Sequence, residues 1–65
     1  MKRCGIYDYQ VTYGGWPEEL GWIYKIYSQD EKPNLIRESD EIFETERRAE
    51  LAAIGHISLL ENGEG

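Results

Sequence analysis

Two periodicities divide this chain. Over residues 5–13 side chains alternate, with Tyr7, Tyr9, Val11 and Tyr13 on one face and Ile6, Asp8, Gln10 and Thr12 on the other. A repeat of two carried by β-branched and aromatic residues predicts a half-buried strand. Gly14 and Gly15 interrupt it, and residues 16–21 read as a connector with room for one helical turn. Pro17 suits a first helical position, and Glu18 and Glu19 suit a helix N-terminus. A second strand is expected over 21–28, where Trp22, Tyr24 and Ile26 point one way and Ile23, Lys25 and Tyr27 the other. Apolar groups on both faces place it in the middle of the sheet. Residues 29–34 are polar turn chemistry with a proline. Residues 35–39, extending toward Ile42, predict a third strand whose charged Arg37 and Glu38 suit an edge.

The period then changes. Thr45 is a good N-cap, Glu46 complements the helix dipole, and helix formers run to about Glu61 before Asn62 and Gly63. At helical spacing Ala49, Ala52, Ala53, His56, Ile57 and Leu60 form one stripe that should lie on the sheet, the alanines permitting close approach. The expected fold is α+β: one domain over residues 1–65, with a three-stranded antiparallel sheet packed against one C-terminal helix.

A chain of 65 residues buries only about 60% of the surface its unfolded form exposes. Eight aromatic residues explain how a small core could suffice: Tyr7, Tyr9, Tyr13, Trp16, Trp22, Tyr24, Tyr27 and Phe43. The single cysteine, Cys4, excludes an internal disulfide and reads as a small apolar filler near a strand start. Residues 1–8 contain no apolar signal-peptide core, and no run approaches a membrane span. A cytoplasmic protein made without processing is expected.

Charge changes the picture. Thirteen Asp and Glu against seven Lys and Arg leave a net charge of -6, whereas phosphate binding draws its affinity from clustered cations and counterion release. Direct nucleic-acid binding is therefore disfavoured. No metal-ligand spacing, nucleophile–base pair or phosphate loop is visible. The lone histidine, His56, falls on the apolar stripe and reads as a packed residue donating to a backbone carbonyl. Neither an enzyme, a cofactor nor a metal is expected.

The acidic residues are not spread evenly. Glu38, Asp40, Glu41, Glu44, Glu46 and Glu50 crowd the end of the third strand and the first helical turns, only partly offset by Arg37, Arg47 and Arg48. Such a run serves either as a solvated face at a helix N-terminus or as an anionic surface that docks on a basic groove of another protein. Leu51 and Ile54 lie opposite the core stripe, beside Arg47 and Ser58 with Gly55 on the flank, and would supply dry contact. One helix covers one face of a sheet, so the other face is a further candidate surface: either Ile6, Ile23 and Tyr27, or part of the tyrosine set. A homodimer would cover it.

Trp22 and Tyr24 in the second strand, Ser39 in the third, and Phe43-Glu44-Thr45 leading into an alanine-rich helix resemble the amino-terminal arm-binding domain of phage-type integrases. The likeness spans roughly residues 20–57 and implies a three-stranded sheet plus helix that binds DNA, here through Lys25, Arg37, Arg47 and Arg48. The chain departs from that family where carboxylates line the helix start. The Phe43–Glu46 lead and residues 52–64 also look like small acidic orphan proteins of phages and other mobile elements, among them anti-CRISPR and anti-restriction inhibitors. That likeness implies an inhibitor that mimics DNA and occupies a basic site on a host nucleic-acid-handling protein. The alternatives are a DNA-binding module of the integrase type and a self-associating accessory domain.

Overall fold

A computed structural model describes residues 1–14 and 20–63. The sheet strands are β1 (Lys2–Cys4), β2 (Tyr7–Tyr13), β3 (Trp22–Ser28) and β4 (Leu35–Glu38), followed by helix α1 (Glu46–Glu61). The order β1-β2-β3-β4 makes every neighbouring pair antiparallel. The fold is thus α+β with one antiparallel sheet and a C-terminal helix, as expected, but the sheet has four strands and not three.

The extra strand comes from Gly5 and Ile6, which the alternating pattern assigned to the first strand and which instead form a two-residue hairpin loop. Gly5 has φ +60° and Ile6 does not share it, the arrangement of a hairpin turn with glycine at its first central position. A Cβ at Gly5 would also collide with the Glu61 carboxylate. One oxygen of that carboxylate accepts the Ile6 N–H at 3.1 Å, so the end of α1 fastens the turn. Three residues are too short to display a period of two. Lys2–Cys4 becomes a strand because the free edge of β2 pairs it, Lys2 opposite Tyr9 and Cys4 opposite Tyr7.

The helix packs on the face where Tyr9 lies opposite Ile26 and Val11 opposite Tyr24. Ala49, Ala53 and Ile57 are fully buried there, with Cys4, Tyr7, Ile36, Phe43 and Leu60 closing the rim. The predicted helical stripe is therefore the one that meets the sheet, and Cys4 does act as an apolar filler. Burying Ile57 alone contributes about 2 kcal/mol. Thr45 caps the helix, its Oγ1 accepting the Arg48 N–H at 3.1 Å. At the other end Asn62 N–H donates to the Ser58 and Leu59 carbonyls.

β4 stops at Glu38, short of the expected extension. Ser39 Oγ accepts the Tyr24 N–H at 3.2 Å, and pairing resumes only as a single bridge between Trp22 and Phe43. The intervening loop hugs β3 without continuing the ladder. Of the connector at residues 16–21, where a helical turn was expected, residues 16–19 lie outside the described residues, and Leu20 and Gly21 are not helical. Among the described residues no helix is long and apolar enough to cross a membrane.

Candidate functional site

The loop between β4 and α1 carries Asp40, Glu41 and Glu44, all exposed. Among the described residues two ion pairs form, Lys2–Glu50 at 2.6 Å and Arg3–Asp8 at 3.8 Å. None involves Glu38, Asp40, Glu41, Glu44 or Glu46. Their field reaches the interior: burial pushes the Tyr24 phenol above its usual 10, and the Asp40 and Glu41 carboxylates push it further the same way.

The fold sorts the sequence-predicted site residues into separate places. Glu41, Glu44 and Leu51 come together with Ile42, Phe43 and Arg48 around a surface groove of about 440 Å³. Glu46 and Glu50 face the opposite flank, around a smaller depression of about 240 Å³ with Met1, Lys2, Tyr9, Gln10 and Val11. Glu38 stands on the uncovered sheet face across from Lys25. Ile54 lies on the outward side of α1 and lines neither hollow.

The groove exists because the loop is held against β3. Trp22 and Phe43 exchange two backbone hydrogen bonds of 2.9 and 2.8 Å, and the Phe43 ring lies 6.1 Å from that of Tyr24. Gly21 permits this approach, since a Cβ there would strike Ile42 and crowd the Phe43 carbonyl. The helix starts immediately afterwards, so Arg48 and Leu51, one turn apart, form the opposite wall. Ile42 and Phe43 were not foreseen as site residues because they fall between periodic elements, and Arg48 was expected only as an offset to the acidic run and as a DNA contact. The best sequence signal was the apolar pair itself, set between Glu41 and Glu44.

Glu50 plays a different part from its neighbours. Its Oε2 accepts from Lys2 Nζ at 2.6 Å and from the Tyr9 hydroxyl at 3.1 Å. The Lys2 hydrogen bond first, and the Tyr9 bond next, hold the Glu50 carboxyl below the usual carboxylate range. Reciprocally, Glu50 raises Lys2, while burial and then the Glu50 bond raise Tyr9. This carboxylate ties α1 to β1 and β2.

His56 does not bond a backbone carbonyl. Its Nδ1 lies 2.8 Å from the Tyr24 hydroxyl, with the two rings edge-on at 5.9 Å. The phenol and the imidazole are thus hydrogen-bond partners of each other across the sheet–helix contact. Among the described residues no group of three or more His, Cys, Asp or Glu could hold a metal ion.

The sheet face left uncovered by α1 carries Asp8, Gln10, Thr12, Ile23, Lys25 and Tyr27; Ile6 belongs to the turn. Its apolar groups are separated by charge, and Gln29 Nε2 binds Asp8 Oδ1 and the Tyr7 carbonyl along its edge. The cations of a DNA-binding reading are interleaved with carboxylates: Lys25 stands opposite Glu38, and Arg48 shares its groove with Glu41 and Glu44.

No protein-family model, curated protein or solved structure matches the chain.

Proposed function

We propose that this chain is a non-enzymatic binding protein that sets its acidic loop on a basic site of a partner protein. The observation that carries the proposal is the exposed group Asp40, Glu41 and Glu44, which forms no ion pair among the described residues, beside a groove with Ile42, Phe43 and Leu51 in its lining. Unpaired carboxylates give a long-range field that steers a cationic surface into contact. The apolar wall then supplies the desolvated contact that charge alone does not. The partner class that fits is a nucleic-acid-handling protein, whose basic cleft is built to receive closely spaced negative charges. The likeness to small acidic proteins of phages and mobile elements supports an inhibitor of the anti-CRISPR or anti-restriction kind.

The test is capture from a host lysate on immobilised wild type and on the triple variant Asp40→Lys, Glu41→Lys, Glu44→Lys, washed at two salt concentrations. The expected partner stays on the wild type at low salt, leaves at high salt, is displaced by excess duplex DNA and is absent from the triple variant. Equal capture by both chains would remove the proposal.

A further inference from the structure

Both edges of the sheet are open. α1 lies over β2 and β3, and among the described residues no element pairs with the outer side of β1 or β4. The alternation of an antiparallel ladder fixes which backbone groups those edges present. Trp22 exchanges two bonds with Phe43, and the Tyr24 carbonyl accepts the Ser39 N–H at 2.9 Å. Glu38, one residue before Ser39 and opposite Lys25, therefore points its N–H and C=O away from the sheet. By the same alternation Ile23, Lys25 and Tyr27 bond β2 through Thr12, Gln10 and Asp8, which leaves Tyr9 and Tyr7 to bond Lys2 and Cys4. Arg3, between these two, points its N–H and C=O outward from the other edge.

We propose that the two edges join head to tail, Arg3 of one copy pairing with Glu38 of the next, so that one antiparallel sheet runs from molecule to molecule. Two residues opposed through outward groups exchange both backbone hydrogen bonds. Face and charge select this register. Arg3 stands opposite Asp8 and Glu38 opposite Lys25, so both side chains lie on the face away from α1, and the helices stay on one side of the continuous sheet. The row across the junction reads Asp8, Arg3, then Glu38 and Lys25 of the next copy, alternating in sign at every step. In the monomer that row is cut. The Arg3 side chain is 77% exposed and meets Asp8 only at 3.8 Å, and Glu38 forms no ion pair among the described residues. A two-fold pairing of like edges would instead set Arg3 against Arg3 or Glu38 against Glu38, which is destabilising. A contact between unlike edges leaves one of each unsatisfied, so it grows into rows and does not stop at a dimer. The junction uses neither the groove nor Asp40, Glu41 and Glu44, and stands apart from the acidic-loop proposal.

Sedimentation velocity of the full chain over a concentration series tests the proposal, with proline as the probe. Arg3→Pro and Glu38→Pro each remove an outward N–H that the monomer's ladder does not use, and proline is tolerated at such edge positions. Both should keep the wild-type circular dichroism. The wild type is expected to grow past the dimer as concentration rises. Each proline variant alone should stay monomeric where the wild type is mostly associated, because every junction needs one edge of each kind. An equimolar mixture of the two should form dimers and nothing larger, since Arg3→Pro retains only its β4 edge and Glu38→Pro only its β1 edge. Charge is tested apart from the backbone: Arg3→Glu should weaken association about tenfold, and adding Glu38→Arg to the same chain should restore it. A wild type monomeric at the highest concentration reached overturns the proposal. Association that survives in either proline variant, a mixture no larger than its parts, or a failure of Glu38→Arg to rescue Arg3→Glu overturns it equally.

Discussion

The Tyr24 hydroxyl and Nδ1 of His56 lie 2.8 Å apart, joining the central strand to the helix where their rings meet edge-on. The bond supplies a partner to the phenol in the core and to the helix's one histidine, so neither polar group is buried unsatisfied. Tyr24→Phe removes the hydroxyl, retains the ring and leaves Nδ1 without its partner. A loss of about 1 kcal/mol in unfolding free energy is expected by urea titration, and a variant as stable as the wild type would show the pair to be incidental.

Stability should fall at both ends of the pH scale. Glu50 titrates below its usual 4.5 in the folded chain because Lys2 and then Tyr9 bond the carboxylate. Its contribution is complete above that ordinary value and is lost as pH falls through the depressed folded one. Tyr9 and Tyr24 are raised above 10, chiefly by burial, and Lys2 above 10.5 by Glu50. Their contributions are present below the ordinary values and lost as pH rises through the folded ones. Glu50→Gln should flatten the acid limb of a melting-temperature profile, and an unchanged limb would assign it to other carboxylates.

Gly21 holds the groove open by admitting Ile42 and the Phe43 carbonyl. Gly21→Ala forces the loop off β3 and should cost about 1–3 kcal/mol, with loss of the Trp22–Phe43 backbone bonds. Amide exchange at Trp22 and Phe43 measures it directly: both protons should become faster relative to the centre of β3.

Nucleic acid provides the opposing check on the acidic loop. At low salt, where phosphate contacts are strongest, the wild type should give no gel shift with duplex DNA. A tight complex under those conditions would favour the integrase-like reading and its cations Lys25, Arg37, Arg47 and Arg48.

The helix core is equally open to measurement. Ile57→Ala empties a fully buried position and should destabilise the chain by about 2–5 kcal/mol. In so small a domain that is enough to leave much of it unfolded, detectable as lost near-ultraviolet dichroism from the surrounding tyrosines.

Much of this architecture was legible in the residues themselves. The alternation of Tyr7, Tyr9 and Val11, the cap at Thr45 and the stripe Ala49–Ala53–Ile57 are local periodicities, and local sterics and burial act on them directly. Composition likewise determined the surplus of carboxylates. Tertiary structure decided what depends on neighbours distant in the chain. Lys2–Cys4 is a strand only because β2 offers it an edge, and His56 meets Tyr24 only once α1 crosses β3. Glu50 became a tether and Glu41 a groove wall although both belong to one acidic run, because Glu50 sits on the flank of α1 that meets Lys2 and Tyr9 while Glu41 sits in the loop before the helix. Pattern along a chain sets which way each side chain points within its own element; the packing of elements sets what it finds there.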